Sequence, residues 1–294
     1  MTRKLFSIGR IGMEIACPGG YTMVFDPAME RFSMDQDIQP DMSYRVETIR
    51  EGTVVSTCEE LFSSTPGGLW TIYDCKDMGS YIIALQSLPE DSEPYLIVVA
   101  DRGFRRFRVH LYPDDAERVF PLQYPVDELT ISGFLNINRM GVLLHSACIK
   151  LWGRGILFSG TSGSGKSTIS GIWQKDPQAE VLTDERVIIR YWENQLYAFG
   201  TPWHGTGEVH KNAGAPVERI YFLKHGGCNR ARRLSRVDAT NRLLVRCFPT
   251  FWHREGMQFA LDFCSLVASE VQCYELEFTP DPSVIGFVKK HLHS

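Results

Sequence analysis

The chain has 294 residues, with 31 Lys+Arg against 35 Asp+Glu and 44% hydrophobic residues, which excludes a disordered or low-complexity protein and supplies a core for one large domain or two modest ones. The net charge of −4 excludes a surface given over to nucleic acid or anionic lipid. The charge is unevenly spread, at −8 over residues 1–140 and +4 over residues 141–294. The opening run, Met1 to Arg10, carries charge but lacks the apolar stretch of a signal peptide. No segment reaches the roughly 18 to 20 apolar residues of a membrane span, so a cytoplasmic protein with no membrane partner is expected. Cys17, Cys58, Cys75, Cys148, Cys228, Cys247, Cys264 and Cys273 include no Cys-x-x-Cys pair. Reduced, mostly buried thiols are therefore expected rather than a zinc site or disulfide framework.

Residues 1–125 read as a β-rich N-terminal domain. Thr53–Ser56, Leu69–Tyr73 and Tyr81–Leu85 are short apolar runs broken by turn residues, as in a mostly antiparallel sheet. In Arg102–Tyr112 aromatics alternate with arginines, a pattern that suits either stacking on single-stranded nucleic acid or a half-buried strand with a solvated arginine face. The acidity of this half favours the second, so no nucleic-acid partner is expected. Val126–Asn138 is an amphipathic helix with Asp127 and Glu128 in its first turn, and it opens a second domain, 126–294.

Beyond that helix, Gly141–Ile149 and Gly155–Ser159 read as buried strands, followed by a glycine-rich turn, a helix over Lys166–Gln174 and a strand Glu180–Thr183 ending at Asp184-Glu185. The layout is α/β and nucleotide-binding, within a chain that is α+β overall. Gly160, Thr161, Ser162, Gly163, Ser164, Gly165, Lys166, Ser167 and Thr168 satisfy the Walker A pattern Gly-x-x-x-x-Gly-Lys-Ser/Thr in the strand-to-helix context it requires. Small residues let successive backbone N–H groups wrap phosphates at the positive end of a helix. Lys166 can reach the β- and γ-phosphates and Ser167 can ligate Mg²⁺, so ATP and Mg²⁺ are the expected cofactors, with GTP left open as the nucleotide. Asp184 and Glu185, 17 residues past Ser167, offer one acid for the metal and one for a proton. Neighbouring strand side chains point to opposite faces, so a solvated Glu185 is the alternative.

Gly141–Thr168 followed by Leu182–Val187 resembles the catalytic domain of HPr kinase/phosphorylase, which shares its P-loop fold with phosphoenolpyruvate carboxykinase. His145 lies 15 residues ahead of Gly160, as a histidine does in that family. The resemblance implies a phosphoenolpyruvate carboxykinase-like P-loop domain behind a mostly β N-terminal domain. It implies catalytic roles for Lys166, for Asp184 as general base and for His145 beside the phosphates, and it sets Ser167 and Glu185 on the metal. The family has Asp-Asp where this chain has Asp184-Glu185. Gly200–Gly205 resembles a segment of HPr-kinase-like proteins from peptide-modification gene clusters. No copy of the family's dephosphorylation segment is recognisable, which favours a kinase without the reverse reaction.

Trp203, His204 and Glu208 are candidates for a substrate-facing loop, against a plain surface loop. Lys224–Arg236 holds five Lys/Arg and no acid, either to supply an arginine to the γ-phosphate or to form a solvated turn between a strand at 219–223 and a helix at 237–246. The expected function is an ATP- and Mg²⁺-dependent kinase acting on a serine of a protein or precursor peptide. The alternatives are a nucleotide-binding switch without transfer and a kinase of free serine or a hydroxy acid. Homo-oligomer formation is left open.

Overall fold

The computed structural model describes residues 1–36, 39–48, 58–64, 69–87, 93–161 and 163–293. These fall into two units, Met1–Asn138 with Phe251–Arg254, and Arg139–Thr250 with Glu255–Ser294. Both mix strands and helices, and no helix among the described residues is long and apolar enough to cross a membrane.

In the first unit the elements are β1 (Thr2–Ile8), β2 (Ile11–Cys17), β3 (Thr22–Met23), α1 (Pro27–Glu30), β4 (Met42–Thr48), β5 (Glu59–Ser63), β6 (Trp70–Cys75), β7 (Ser80–Leu85), β8 (Leu96–Asp101), β9 (Arg106–Leu111), β10 (Arg118–Val119) and α2 (Val126–Ile137). One sheet runs β1-β2-β4-β9-β8-β7-β6-β5. Its pairings are antiparallel except β2 with β4 and β4 with β9. The expected strands at 69–73 and 81–85 are β6 and β7; the one at 53–56 lies outside the described residues.

The arginine-rich strand begins later than its composition suggests. Phe104 adopts a positive φ of 52° in the turn after β8, so pairing starts only at Arg106. Over β9 the side chains alternate, with Phe107, Val109 and Leu111 buried and Arg106 and Arg108 exposed, the period-2 pattern of a half-buried strand.

Helix α2 belongs to the first unit, so the division falls after Asn138 rather than before Val126. The cause is packing. Tyr44 donates its hydroxyl to Thr130 Oγ1 at 2.9 Å and Asn138 donates Nδ2 to the Gly103 carbonyl at 2.7 Å. Gly133 comes so close to the Phe104 ring that an added Cβ would sit 2.4 Å from it.

Cys58 and Cys75 are joined by a disulfide, which corrects the expectation of eight reduced thiols. Register explains it. Glu59 pairs with Asp74 between β5 and β6, so the preceding and following residues meet across the same antiparallel ladder.

The second unit holds β11 (Val142–Leu151), β12 (Arg154–Ser159), α3 (Lys166–Trp173), β13 (Ala179–Thr183), β14 (Arg186–Trp192), β15 (Gln195–Gly200), β16 (Gly214–His225), β17 (Arg230–Arg233), α4 (Arg236–Leu244), α5 (Arg254–Glu270), β18 (Gln272–Phe278) and α6 (Ser283–Leu292). Two long strands each serve two neighbours in succession. The first half of β11 pairs with β14 and its second half with β12 and β13. The start of β16 pairs with β15 and the rest with β12 and β18. Strand β12 thus lies between antiparallel β11 and parallel β16.

Apolar clusters cover both faces around β12. Phe158, Tyr221 and Leu276 pack with Ile169 and Trp173 of α3 and with Val284 and Val288 of α6. Leu157, Ile220 and Phe222 pack with Leu243 of α4 and Phe263 of α5. An eight-residue helix such as α3 is marginal alone. Burial of Ile169 and Trp173 holds it, at about 1.5–3 kcal/mol for each large apolar side chain.

Candidate functional site

Strand β12 ends at Ser159 and the glycine-rich loop leads into α3, whose first residue is Lys166. Gly165 caps the helix with φ at 99°, a left-handed conformation open to glycine and costly for other residues. An added Cβ there would lie 2.8 Å from Phe278 Cζ. The side chain of Lys166 folds back over the loop, donating to the carbonyl oxygens of Gly160 at 3.1 Å and Thr161 at 3.3 Å. It is buried, and burial lowers its pKa below the ordinary lysine value. It forms no ion pair among the described residues. Ser162 lies outside the described residues.

His145, Gly163, Gly165, Lys166, Ser167, Thr168, Glu185 and His225 line one cleft of about 290 Å³. His145 lies within β11, and Glu185 directly precedes its neighbour β14. The paired register sets His145 opposite Arg186, and the imidazole Nε2 donates to Glu185 Oε1 at 3.1 Å. That hydrogen bond, with the charges of His145, Lys166 and Arg186, holds the Glu185 carboxyl below the usual glutamate range against the opposing effect of burial. The His145 backbone is fixed on both sides. Its N–H donates to the Arg246 carbonyl at 2.8 Å and its carbonyl accepts from Ser159 Oγ at 2.9 Å.

Asp184 sits behind the cleft, near enough for its charge to act on Lys166. It is fully buried, and it does not line the cleft that Glu185 faces. Its Oδ1 accepts the Gly205 N–H at 3.0 Å and its Oδ2 the Gly207 N–H at 2.8 Å. The two acids follow β13 directly, and both carboxylates approach Gly205, where an added Cβ would lie 3.1 Å from Asp184 Oδ2 and 3.2 Å from Glu185 Oε2. Gly207 is required by this contact, since a Cβ there would stand 2.6 Å from Asp184 Oδ2.

Trp203, His204 and Glu208 belong to the loop that Asp184 anchors, and none of them lines the cleft. Trp203 is buried, with its carbonyl 3.4 Å from Thr183 Oγ1. His204 and Glu208 are exposed. His204 lies with its ring 5.1 Å from that of His210, and no group of three or more His, Cys, Asp or Glu suited to a metal occurs among the described residues.

Within the basic run at 224–236, the turn after β16 leads into a short strand, β17. In β17, Arg230 pairs with Glu277 at 2.9 Å and Arg232 with Glu275 at 3.3 Å, so the carboxylates of β18 occupy these arginines.

Two cleft neighbours are absent from the motif. His225 ends β16, parallel to β12, and its Nε2 donates to the Gly163 carbonyl at 2.7 Å. Its signal lay in topology, because parallel strands bring their C-terminal ends to one edge where ligands bind. Arg246 contributes positive charge near Lys166 and follows α4, with nothing in its sequence surroundings to mark it.

No protein-family model matches the sequence, and no curated protein matches it. Among solved structures, the HPr(Ser) kinase/phosphatase from Coxiella burnetii is similar over 51% of this chain and 92% of its own, at 11% sequence identity and a TM-score of 0.30.

Proposed function

We propose that this chain is an ATP- and Mg²⁺-dependent kinase that transfers the γ-phosphoryl group to a hydroxyl, with a serine of a protein or peptide as acceptor, and that its second unit is an HPr-kinase-like, phosphoenolpyruvate carboxykinase-like P-loop domain. The observation that carries this reading is a buried Lys166 without an ion pair among the described residues, set against backbone carbonyls in a cleft that also presents the Glu185 carboxylate. A buried cation calls for an anion. A triphosphate supplies one, and the loop amides and helix N-terminus fit it.

Mg²⁺, when bound, neutralises charge on the β- and γ-oxygens. Mg²⁺ needs only one or two protein ligands besides phosphate oxygens and waters, and the Ser167 hydroxyl would hold it. With Oε1 engaged by His145, Glu185 Oε2 is left to accept the proton of the attacking hydroxyl. His145 orients the carboxylate and keeps it ionised. Asp184 acts one step away, as a positioning residue for the loop of Trp203, His204 and Glu208, where the acceptor is expected to enter. The test is incubation with γ-labelled ATP, Mg²⁺ and a serine-containing peptide library. Label on peptide serine is expected. Label on free phosphate alone would assign a nucleotide-driven switch, and label on free serine or a hydroxy acid would assign a small-molecule kinase.

A further inference from the structure

On one face of the first unit's sheet, three strands, β1, β4 and β9, bring four arginines into a groove of about 690 Å³. Arg3 stands opposite Ala16, Ala16 beside Arg45, and Arg45 beside Arg108, in one row across β1, β2, β4 and β9. In the adjoining row Arg106 lies beside Ser43. Glu14 and Asp101 also line the groove. Glu14 pairs with Arg3, and Asp101 lies 3.4 Å from Arg106. Arg45 and Arg108 are exposed and form no ion pair with any described residue. Like charges directly opposed on neighbouring strands repel and destabilise a sheet, so this pair is an unbalanced site. Its sign runs against the −8 of residues 1–140.

We infer that this groove binds an extended, acidic polypeptide segment. From β1 to β9 the arginine row crosses three strand spacings, roughly 14 Å, which an extended chain covers in about four or five residues. Such a chain presents every second side chain to the same surface, so carboxylates at alternate positions meet successive guanidinium groups, each able to donate more than one hydrogen bond. Single-stranded nucleic acid would need aromatic faces for its bases. Tyr44 and Phe107, the aromatics at the groove, are buried and stacked on each other at 4.5 Å, so neither offers an exposed face to a base. The inference stands apart from the kinase reading, since it concerns the first unit and needs no nucleotide.

The experiment uses the full chain without nucleotide and a fluorescein-labelled peptide of alternating Glu and Gly, about twelve residues long and roughly 40 Å when extended. Fluorescence anisotropy is read at low and high salt. Saturable binding that weakens with salt is expected. The Arg45→Ser/Arg108→Ser double variant should weaken it by about tenfold or more, the scale of a lost charge-assisted contact. Lys166→Ala should leave it intact, which separates the groove from the phosphate loop. Because both arginines are exposed and mutually repulsive, the double variant should melt no lower than the parent, and this melt establishes that it is folded. The inference is overturned if the peptide does not bind, if the double variant binds as well as the parent, if Lys166→Ala abolishes binding, or if an alternating Gln-Gly peptide or an oligothymidylate binds as tightly.

Discussion

Replacing Asp184 with Asn separates the two acids by their consequences for stability. Asp184 is fully buried and accepts backbone N–H groups on both oxygens, from Gly205 and Gly207. Asparagine keeps one acceptor and turns an NH₂ group toward the other N–H, so one charge-assisted bond becomes neutral and the second becomes a donor facing a donor. Hydrogen bonds to a charged group contribute about 1.5–3 kcal/mol, and an unsatisfied buried donor costs about 1–3 kcal/mol. Gly207 is exposed, so its amide can turn to water, which sets the expected loss at the lower end, about 2–3 kcal/mol. With a urea slope of about 2–3 kcal/mol per molar, the midpoint of the second unit's transition should fall by about 1 M. Glu185→Gln should shift the same midpoint far less, because the Glu185 side chain is 28% exposed and water can replace its partner. It should nevertheless abolish transfer to the peptide acceptor and leave ATP binding intact. Urea melts followed by tryptophan fluorescence, together with labelled-ATP transfer assays, measure both variants. If Asp184→Asn keeps the parental midpoint while losing transfer, Asp184 is the base and the assignment of Glu185 is wrong.

Three further outcomes follow from the geometry. Burial depresses the Lys166 pKa, so the unfolded chain binds the proton more tightly and the lysine opposes folding at neutral pH. Lys166→Met should therefore lose ATP binding yet melt above the parent at pH 7, and the gap should close as pH rises through the depressed pKa toward the ordinary lysine value. Gly165→Ala combines a positive φ of 99° with a 2.8 Å approach to Phe278; a loss of about 1–3 kcal/mol is expected, with weaker ATP binding by calorimetry, and an unchanged melt would count against the closeness of that contact. Alkylation of the denatured, unreduced chain should modify the six free cysteines and spare Cys58 and Cys75 until reductant is added, as peptide mass mapping would show.

The parts of the site that could be read from sequence are those fixed by contiguous chemistry. Gly160 to Thr168 is legible because each residue's task depends on neighbours a few positions away. The alternation of Phe107 and Val109 with Arg106 and Arg108 is legible because a strand's period is local. The roles suggested for Asp184 and Glu185 depend on which way two adjacent carboxylates turn, and that is settled by glycine amides more than 20 residues later in the chain, at Gly205 and Gly207. His225 enters the cleft only because β16 runs parallel to β12. The Cys58–Cys75 bridge depends on strand register, which spacing alone does not reveal. The affiliation of α2 depended on Phe104 and Gly103, residues on the far side of β9.

Strand β12 is hydrogen-bonded along both edges, by β11 and by β16, and each of those partners continues into a second set of pairings. The segment leading to the glycine-rich loop consequently has no free edge from which to fray. Releasing it requires both long strands to separate at once, so the amides of Ile156 to Ser159 should exchange with deuterium only when the whole unit opens. The stem of the loop is a fixed anvil. Whatever movement accompanies ligand binding there must be borne by the chain beyond it, from Gly160 onward and in the loop held by Asp184.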